Sequence, residues 1–346
     1  MQIAETARAL ARRGVTVDLC DAPEPALAGY DCVHLFHLDR LWEHEALCRR
    51  LRAEMRPAVL SPIYWSSEEY DRRGRTLLQR ACVRLAGRRA LADLRLLARW
   101  AAACRRRGWR RPPGAFRASA ALVLRTVSVI LPNSRAEQAL IERAFGCRRP
   151  AVIVPNAVDS VCFSPPAAPW PDDREGVLCA GRIEPRKNQR TLIRALAGTG
   201  IPLAIAGAPG PGGAAYYRRC RREARSTVRF LGRMKQSALA DAYRAARAHA
   251  CVSWYETPGL ASLEAASCGC AIVATPGGCT REYFEDGAVY CEPDSPESIR
   301  HAVETALSRG PSAALAARIA GEFTWDAAAE KTLEAYAMAA AARPPR

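Results

Sequence analysis

The stretch YETPGLASLEAASCG, Tyr255–Gly269, places two carboxylates, Glu256 and Glu264, eight residues apart around a Pro-Gly turn. The residues before it, AHACVSW, form a short apolar run typical of a buried strand. The residues after the turn are helix formers, with Thr257 as the expected cap and Pro258 at the first helical position. A glycine ends this helix and AIVAT follows as a strand, so the stretch predicts a βαβ unit.

The positions of the two carboxylates suit a ligand crevice. Glu256 would lie at the carboxyl end of a strand, where open parallel sheets bind their ligands. The following helix would aim free N–H groups and a positive dipole end at the same place, which suits a phosphate. Glu264, on the first or second turn, could accept hydrogen bonds from ribose or sugar hydroxyls. The spacing is also compatible with a plain loop charge and a favourable helix-end charge, so both interpretations stay open.

Strands alternate with helices along the chain, which predicts a doubly wound α/β architecture. A length of 346 residues suits two domains. We expect two Rossmann-like domains facing a cleft, over residues 1–164 and 176–320. The proline-rich and acidic residues 165–175 would link them, and a final helix within 321–346 would pack back towards the first domain.

The first half of the chain contains one irregularity. VTVDLC, Val15–Cys20, and PAVIVPNAV, 150–158, are both expected to be strands. A doubly wound domain should open with a strand and a glycine-containing turn, but this chain opens in a helix. The first strand of the domain is therefore expected to be missing, through either a misplaced start or a real loss.

Composition excludes several classes of protein. No run of 18 apolar residues could form a transmembrane helix, and the polar, amphipathic start does not resemble a secretory signal. The 14 cysteines are scattered without a CxxC pair, and the closest two, Cys268 and Cys270, straddle an expected helix cap. A metal site is therefore not expected, and a reduced, cytoplasmic protein is the simplest interpretation.

Positive charge is concentrated in the first half of the chain. The net charge is +16, and residues 71–125 contain 16 Arg against two acidic residues. Leu, Val and Trp between these arginines are typical of basic amphipathic helices on an anionic membrane surface, so a peripheral position on the inner face is one interpretation. A solvated helix face in an arginine-rich chain is the other. Nucleic-acid binding is not expected, because no nucleic-acid-binding motif accompanies the charge.

A second strand end carries two cations. In AGRIEPRKNQ, 180–189, Arg182 and Lys187 are joined by a turn just ahead of a helix. Two cations beside a helix N-terminus favour a diphosphate, but taken alone this segment is equally compatible with an exposed basic turn. The chain has only three lysines against 48 arginines, which draws attention to Lys187 and Lys235 near the expected crevice.

These motifs together resemble the retaining, metal-independent glycosyltransferases of the GT-B "glycosyl transferases group 1" family. The similarity extends over about residues 125–340, while residues 1–124 match only loosely, as in the variable acceptor-binding half of the family. The segments that carry it, in order, are GRIEPRKNQRTLIRAL, LAIAGAPG, VRFLGRMKQSALADAYRAA and WYETPGLASLEAASCGCAIVATPGG.

The resemblance implies a role for each matching position. Arg182 and Lys187 would bind the donor diphosphate and stabilise the leaving nucleotide, Glu256 would contact the transferred sugar, and Glu264 would hold the ribose. The remaining donor contacts would be the turn at Gly232, Arg233 and Met234 beside the base, and the backbone N–H groups near Gly259 and Leu260 on the distal phosphate.

The same resemblance implies transfer of a hexose-type sugar, from a UDP- or GDP-linked donor, to a hydroxyl of a glycan, lipid-linked or small-molecule acceptor, without a cofactor or metal. The chain also departs from the family pattern. The glycine loop after the first strand is missing, and a sugar-positioning histidine is not secure, with His34 and His37 as candidates. A catalytically silent relative acting as a binding or scaffold protein is therefore the alternative.

Overall fold

The computed structural model describes residues 2–22, 24–107, 112–165, 174–257 and 259–342. The chain forms two compact units. The N-terminal unit contains Met1–Ser66, Arg75–Pro155 and Trp325–Arg346, and the C-terminal unit contains Ser67–Gly74 and Asn156–Thr324. Most of the predicted linker, residues 166–173, lies outside the described residues.

The N-terminal part of the chain builds a three-stranded parallel sheet with the order β1-β2-β3. Its apolar strands pack against helices on either side, with Leu35, Leu60 and Ile130 buried in one core. Its elements are α1 (Gln2–Arg12), β1 (Val33–Phe36), α2 (Leu41–Ala53), β2 (Ala58–Ser61), α3 (Leu77–Arg107), α4 (Phe116–Thr126), β3 (Val129–Ile130) and α5 (Arg135–Phe145).

Two of the predicted strands are corrected by the structure. Val15–Cys20 is not a strand, because its backbone does not join the sheet; Val15 and Val17 instead pack beside the α1 residues Ala9 and Leu10. Residues 150–158 do not form a strand; they contain only two isolated bridges, Ala151 to Ile130 of β3 and Val158 to Thr324.

The C-terminal unit carries a six-stranded sheet with the order β6-β5-β4-β7-β8-β9, and every adjacent pair is parallel. Its elements are β4 (Glu175–Ala180), α6 (Gln189–Ala195), β5 (Leu203–Ala206), α7 (Ala214–Glu223), β6 (Val228–Gly232), α8 (Gln236–Ala245), β7 (Ala246–Cys251), α9 (Leu260–Ser267), β8 (Ala271–Ala274), α10 (Thr280–Phe284), β9 (Ala288–Tyr290), α11 (Pro296–Arg309) and α12 (Ala313–Glu322). The last helix, α13 (Trp325–Ala341), follows and packs on α1 in the N-terminal unit.

The sheet of the C-terminal unit is covered on both faces, which explains its continuous apolar strands. All residues of β8 are buried, as are all but the first of β4. One core joins Val177, Ile205 and Val273 of the strands to Leu192 and Ile299 of the helices. The short elements α10, β9 and α12 were not predicted from the sequence. The α/β prediction is confirmed, with two parallel sheets.

The arginine-rich segment is helical, as its pattern predicts, but α3 is interrupted. Gly87 has a φ of 74° and a ψ of 156°, so its backbone is not helical and the helix bends there. Residues 108–111 of this segment lie outside the described residues. None of the helices that the structure describes has the length and hydropathy of a bilayer-spanning segment.

Candidate functional site

The strand order of the C-terminal unit fixes where a ligand crevice can form. The chain proceeds outward from β4 to β5 and β6 on one side, and from β7 to β8 and β9 on the other. The order in which the chain adds strands therefore reverses between β4 and β7, although these two strands are parallel. In parallel α/β sheets the ligand crevice lies at the carboxyl ends of the strands at such a switch point. Lys187 follows β4 and Glu256 follows β7, so the two predicted residues flank it.

Lys187 and Glu256 form a direct ion pair. Lys187 lies in a short 3-10 turn, Pro185–Lys187, and its Nζ donates to Glu256 Oε1 at 2.5 Å. The Lys187 side chain is 15% exposed and that of Glu256 is 8% exposed. A buried carboxylate is stable only with such a partner, because an unpaired charge away from water is costly.

The pKa values follow from this pairing. Burial by itself would raise the pKa of Glu256, but the nearby charges of Lys187 and Arg186 outweigh it and hold the pKa at about 2. Burial by itself would lower the pKa of Lys187, but Glu256 raises it above its usual value. Both groups are therefore charged at neutral pH, and the site presents a fixed carboxylate beside a fixed ammonium.

The helix behind Glu256 begins later than the sequence predicts. Gly259, in the left-handed conformation with a φ of 83° and a ψ of 56°, is the N-cap of α9, and Leu260 is its first residue. The predicted cap, Thr257, is not the cap, because the chain needs a left-handed residue there and glycine supplies it. Pro258 lies outside the described residues. Among the described residues no side chain caps this helix, so its first N–H groups can meet an anion.

Two glycines after β8 bring the backbone against Glu256. The Glu256 N–H donates to the Gly277 carbonyl oxygen at 3.1 Å, and the Cys279 N–H donates to the Glu256 carbonyl oxygen at 3.0 Å. A Cβ on Gly278, whose φ is 96°, would lie only 2.0 Å from the backbone carbonyl oxygen of Glu256. Gly277 and Gly278 thus allow this backbone to approach and fix the backbone of Glu256. In the sequence, the glycine pair after a strand is the feature that could have indicated such a close approach.

Glu264 is on the second turn of α9, as predicted, but it faces inward. Only 9% of it is exposed, and the Tyr243 hydroxyl donates to its Oε2 at 3.4 Å. Burial raises the pKa of Glu264 to about 7, and the hydrogen bond from Tyr243 opposes this only in part. Glu264 is therefore a buried carboxyl group whose pKa lies close to neutral pH. The sequence did not predict this.

This raised pKa predicts how stability depends on pH. The folded pKa of Glu264 lies above its usual value of 4.5, so the folded chain binds the proton more tightly and stability falls as pH rises from about 4.5 to about 7. We expect Glu264→Gln to be more stable than the parent by about 2–3 kcal/mol near pH 8, and nearly equal near pH 5.

Urea unfolding across this pH range checks the prediction. Part of the decline should persist in Glu264→Gln, because burial also raises the pKa of Glu137 in the N-terminal unit to about 7. Parallel curves for the parent and Glu264→Gln would contradict the burial assigned to Glu264.

The other predicted donor contacts lie at the same edge of the sheet. Arg182 follows β4, is 63% exposed, and lies 3.5 Å from Glu184. Gly232 ends β6, and the following Arg233 is exposed while Met234 is partly buried. Because all six strands are parallel, these residues share the carboxyl edge with Lys187 and Glu256. Their contact with a nucleotide stays a prediction.

The two candidate histidines lie on β1 and just after it. His34 is enclosed, with Nδ1 2.9 Å from the Tyr336 hydroxyl and Nε2 2.9 Å from Ser61 Oγ, and burial lowers its pKa to about 3. His37 has a φ of 72°, is 26% exposed, and lies 3.9 Å from Asp39. His34 thus has a hydrogen-bond partner at each ring nitrogen, whereas the His37 ring faces the carboxylate of Asp39.

Sequence reasoning missed a segment that packs against the residues just before Glu256. Ser67–Gly74 comes from the first half of the chain but belongs to the C-terminal unit. Its Arg73 pairs with Asp294 at 2.6 Å, and the Tyr70 ring lies 6.1 Å from that of Trp254, two residues before Glu256. Nothing in the basic pattern of this region indicated such a contact.

The described part of the chain contains no group of three or more His, Cys, Asp or Glu side chains placed to hold a metal ion. Its described cysteines are free thiols, most of them buried, including Cys268 and Cys270.

Two parallel α/β units define the GT-B class of fold, which comparison with solved structures supports. Sucrose-phosphate synthase from Thermosynechococcus elongatus superposes with a TM-score of 0.68 at 19% identity, over 90% of this chain and 74% of that one. Anabaena Alr3699/HepE, solved in complex with UDP and glucose, gives a TM-score of 0.58 at 16% identity, over 89% of this chain and 100% of that one.

The family model "Glycosyl transferases group 1" matches residues 163–321, slightly less than half of this chain, and this region is similar to that family. A D-inositol 3-phosphate glycosyltransferase of Kineococcus radiotolerans is 32% identical over 254 residues, which are 62% of this chain and 58% of the relative. O-antigen chain mannosyltransferase B of Escherichia coli is 29% identical over 170 residues, 46% of this chain and 45% of the relative. The chain thus spans about half the length of the curated relatives it matches.

Proposed function

We propose that this chain is a retaining glycosyltransferase that moves a hexose-type sugar from a nucleotide-diphosphate donor to an acceptor hydroxyl. The observation that carries the proposal is the buried pair of Lys187 and Glu256 at the switch point of the sheet, beside the uncapped start of α9. This arrangement combines a cation and free N–H groups for a diphosphate with a carboxylate for sugar hydroxyls.

Each group has a role in the proposed transfer. The bond from the sugar to the diphosphate breaks, and negative charge develops on the diphosphate next to Arg182 and Lys187. The acceptor oxygen forms the new bond on the same face of the sugar, and its proton passes to the departing diphosphate. Glu256 holds the transferred sugar, and Glu264 holds the ribose. The cations of the chain, rather than a metal, offset the developing charge.

UDP or GDP is the proposed nucleotide. A protein of similar fold that was solved with UDP supports a nucleotide-diphosphate donor. Anabaena Alr3699/HepE was solved with UDP, and also with UDP-glucose. The acceptor is proposed to be a hydroxyl of a glycan, a lipid-linked precursor or a small molecule.

Thermal unfolding against UDP, GDP and ADP tests the donor site. A nucleotide at a hundred times its dissociation constant should stabilise the chain by about 2.7 kcal/mol. We expect one of them to do so, and Glu264→Ala to lose the effect. Stabilisation without any sugar transfer from the matching nucleotide sugar would favour the catalytically silent relative, and no stabilisation by any nucleotide would contradict the donor site.

A membrane surface is the second proposed partner, because α3 exposes leucines among arginines. Leu77 is 80% exposed, Leu85 is 89% exposed and Leu94 is 57% exposed, with Arg84 and Arg89 exposed nearby. We expect binding to vesicles that contain phosphatidylserine, weakened by salt, and an approximately tenfold loss in Leu85→Asp. Val161→Asp, at an equally exposed position in the C-terminal unit, is the control. Equal binding to neutral vesicles would contradict the charge-based part of this proposal.

A further inference from the structure

Arg186, between Pro185 and Lys187, contacts the residues that join β7 to Glu256. Its Nη1 donates to the Tyr255 carbonyl oxygen at 2.9 Å, and its own carbonyl oxygen accepts the Trp254 N–H at 3.0 Å. Its guanidinium also lies 5.1 Å from the centre of the Tyr255 ring. The residue is mostly buried, with 21% of its side chain exposed. Arg186 therefore holds the backbone that precedes Glu256.

The same guanidinium faces the site carboxylate. Nη1 of Arg186 lies 3.7 Å from Glu256 Oε1, the oxygen that also accepts from Lys187. On its other side, Arg186 Nη2 donates to Glu184 Oε1 at 3.0 Å, and Arg182 lies 3.5 Å from the same oxygen. Positive and negative groups thus alternate from the exposed Arg182 to the buried Lys187.

This alternation matters once an anion binds. The ammonium of Lys187 is paired with Glu256, so a diphosphate has to compete with Glu256 for it. A buried carboxylate that loses its only cation is strongly destabilised. Glu256 has a second cation, because the fork of Arg186 can bind the Tyr255 carbonyl and Glu184 and still face Glu256.

We propose that Arg186 is a positioning residue that keeps Glu256 in place and ionised while Lys187 turns to the diphosphate of the donor. This inference rests on the proposed function, because it assumes a diphosphate at Lys187. In this arrangement Lys187 binds the diphosphate directly, and the positive charge of Arg186 offsets that of the Glu256 carboxylate, which would otherwise repel the diphosphate.

The test measures the affinity of the purified chain for UDP and GDP by calorimetry. Arg186→Met removes the charge and Arg186→Lys retains it. Arg194→Met is the matched control, because Arg194 is exposed and pairs with Glu223 away from the site. We expect a loss of affinity of at least about tenfold in Arg186→Met, most of it recovered in Arg186→Lys, and no loss in Arg194→Met.

A double-mutant cycle separates the charge effect from a merely structural one. In a Glu256→Gln background, Arg186→Met should change nucleotide affinity less than about twofold, since no carboxylate remains to be compensated. Equal losses in both backgrounds would show that Arg186 only holds the Tyr255 backbone, and would overturn the proposal, as would unchanged affinity in Arg186→Met. If the parent chain binds neither nucleotide, the proposed donor site fails first and this inference fails with it.

Discussion

Replacing Lys187 by methionine is expected to weaken nucleotide binding strongly and to destabilise the chain. The substitution leaves Glu256 buried with Arg186, 3.7 Å away, as its remaining cation. Breaking a buried pair by removing one partner usually costs 3–5 kcal/mol, and we expect about 3 kcal/mol here because Arg186 compensates in part. The loss of a charge-assisted hydrogen bond to the diphosphate should lower nucleotide affinity by about 100-fold.

Urea unfolding and nucleotide titration measure the two effects separately. The double variant Lys187→Met/Glu256→Gln should regain most of the stability, because no unpaired charge remains, but it should not regain nucleotide binding. Lys331→Met is the control, because Lys331 is exposed on α13 and pairs only with Glu334 there among its described contacts. If Lys187→Met bound nucleotide as well as the parent, Lys187 would not be the diphosphate ligand.

Replacing Gly278 by alanine is expected to displace the loop of Glu256. The added Cβ would lie 2.0 Å from the Glu256 carbonyl oxygen and 2.6 Å from its nitrogen, both backbone atoms that cannot move aside cheaply. The φ of 96° adds strain for any residue with a side chain. We expect a loss of about 4 kcal/mol of stability, with a loss of nucleotide affinity.

Gly198→Ala is the matched control for this substitution. Gly198 also has a positive φ, 80°, but a Cβ there would have no atom within 4 Å. Its substitution should therefore cost only about 1 kcal/mol and leave nucleotide affinity unchanged. The difference between the two variants isolates the close approach, and equal losses would mean that Gly278 does not press on Glu256.

Most of the C-terminal unit, apart from α10, β9 and α12, was predictable because local patterns and the final contacts agree there. The apolar run AHACVSW, 248–254, overlaps the buried strand β7, Ala246–Cys251, and the parallel order then places Lys187 and Glu256 at one edge. The sequence could not show that these two side chains pair with each other, or that Glu264 turns inward to Tyr243. Those facts depend on rotamers and burial, which spacing alone does not determine.

The errors in the N-terminal unit have a different physical cause. Val15–Cys20 alternates apolar and polar residues, but a strand also needs a neighbouring strand to pair with, and a pattern in one segment cannot supply it. Arg186 was overlooked for a related reason. An arginine in a Pro-Arg-Lys turn suggests an exposed charge, whereas contacts from Glu184, Tyr255 and Glu256 enclose it.

Because Ser67–Gly74 belongs to the C-terminal unit, the chain changes unit four times, after Ser66, Gly74, Pro155 and Thr324. The two units are therefore not modules that can be exchanged by a single cut in the gene. A chimera joined near residue 156 would bring a foreign segment against Trp254, and would lose the pairing of Arg73 with Asp294. Recombination between relatives would have to carry these eight residues together with the second half of the chain to preserve the loop of Glu256.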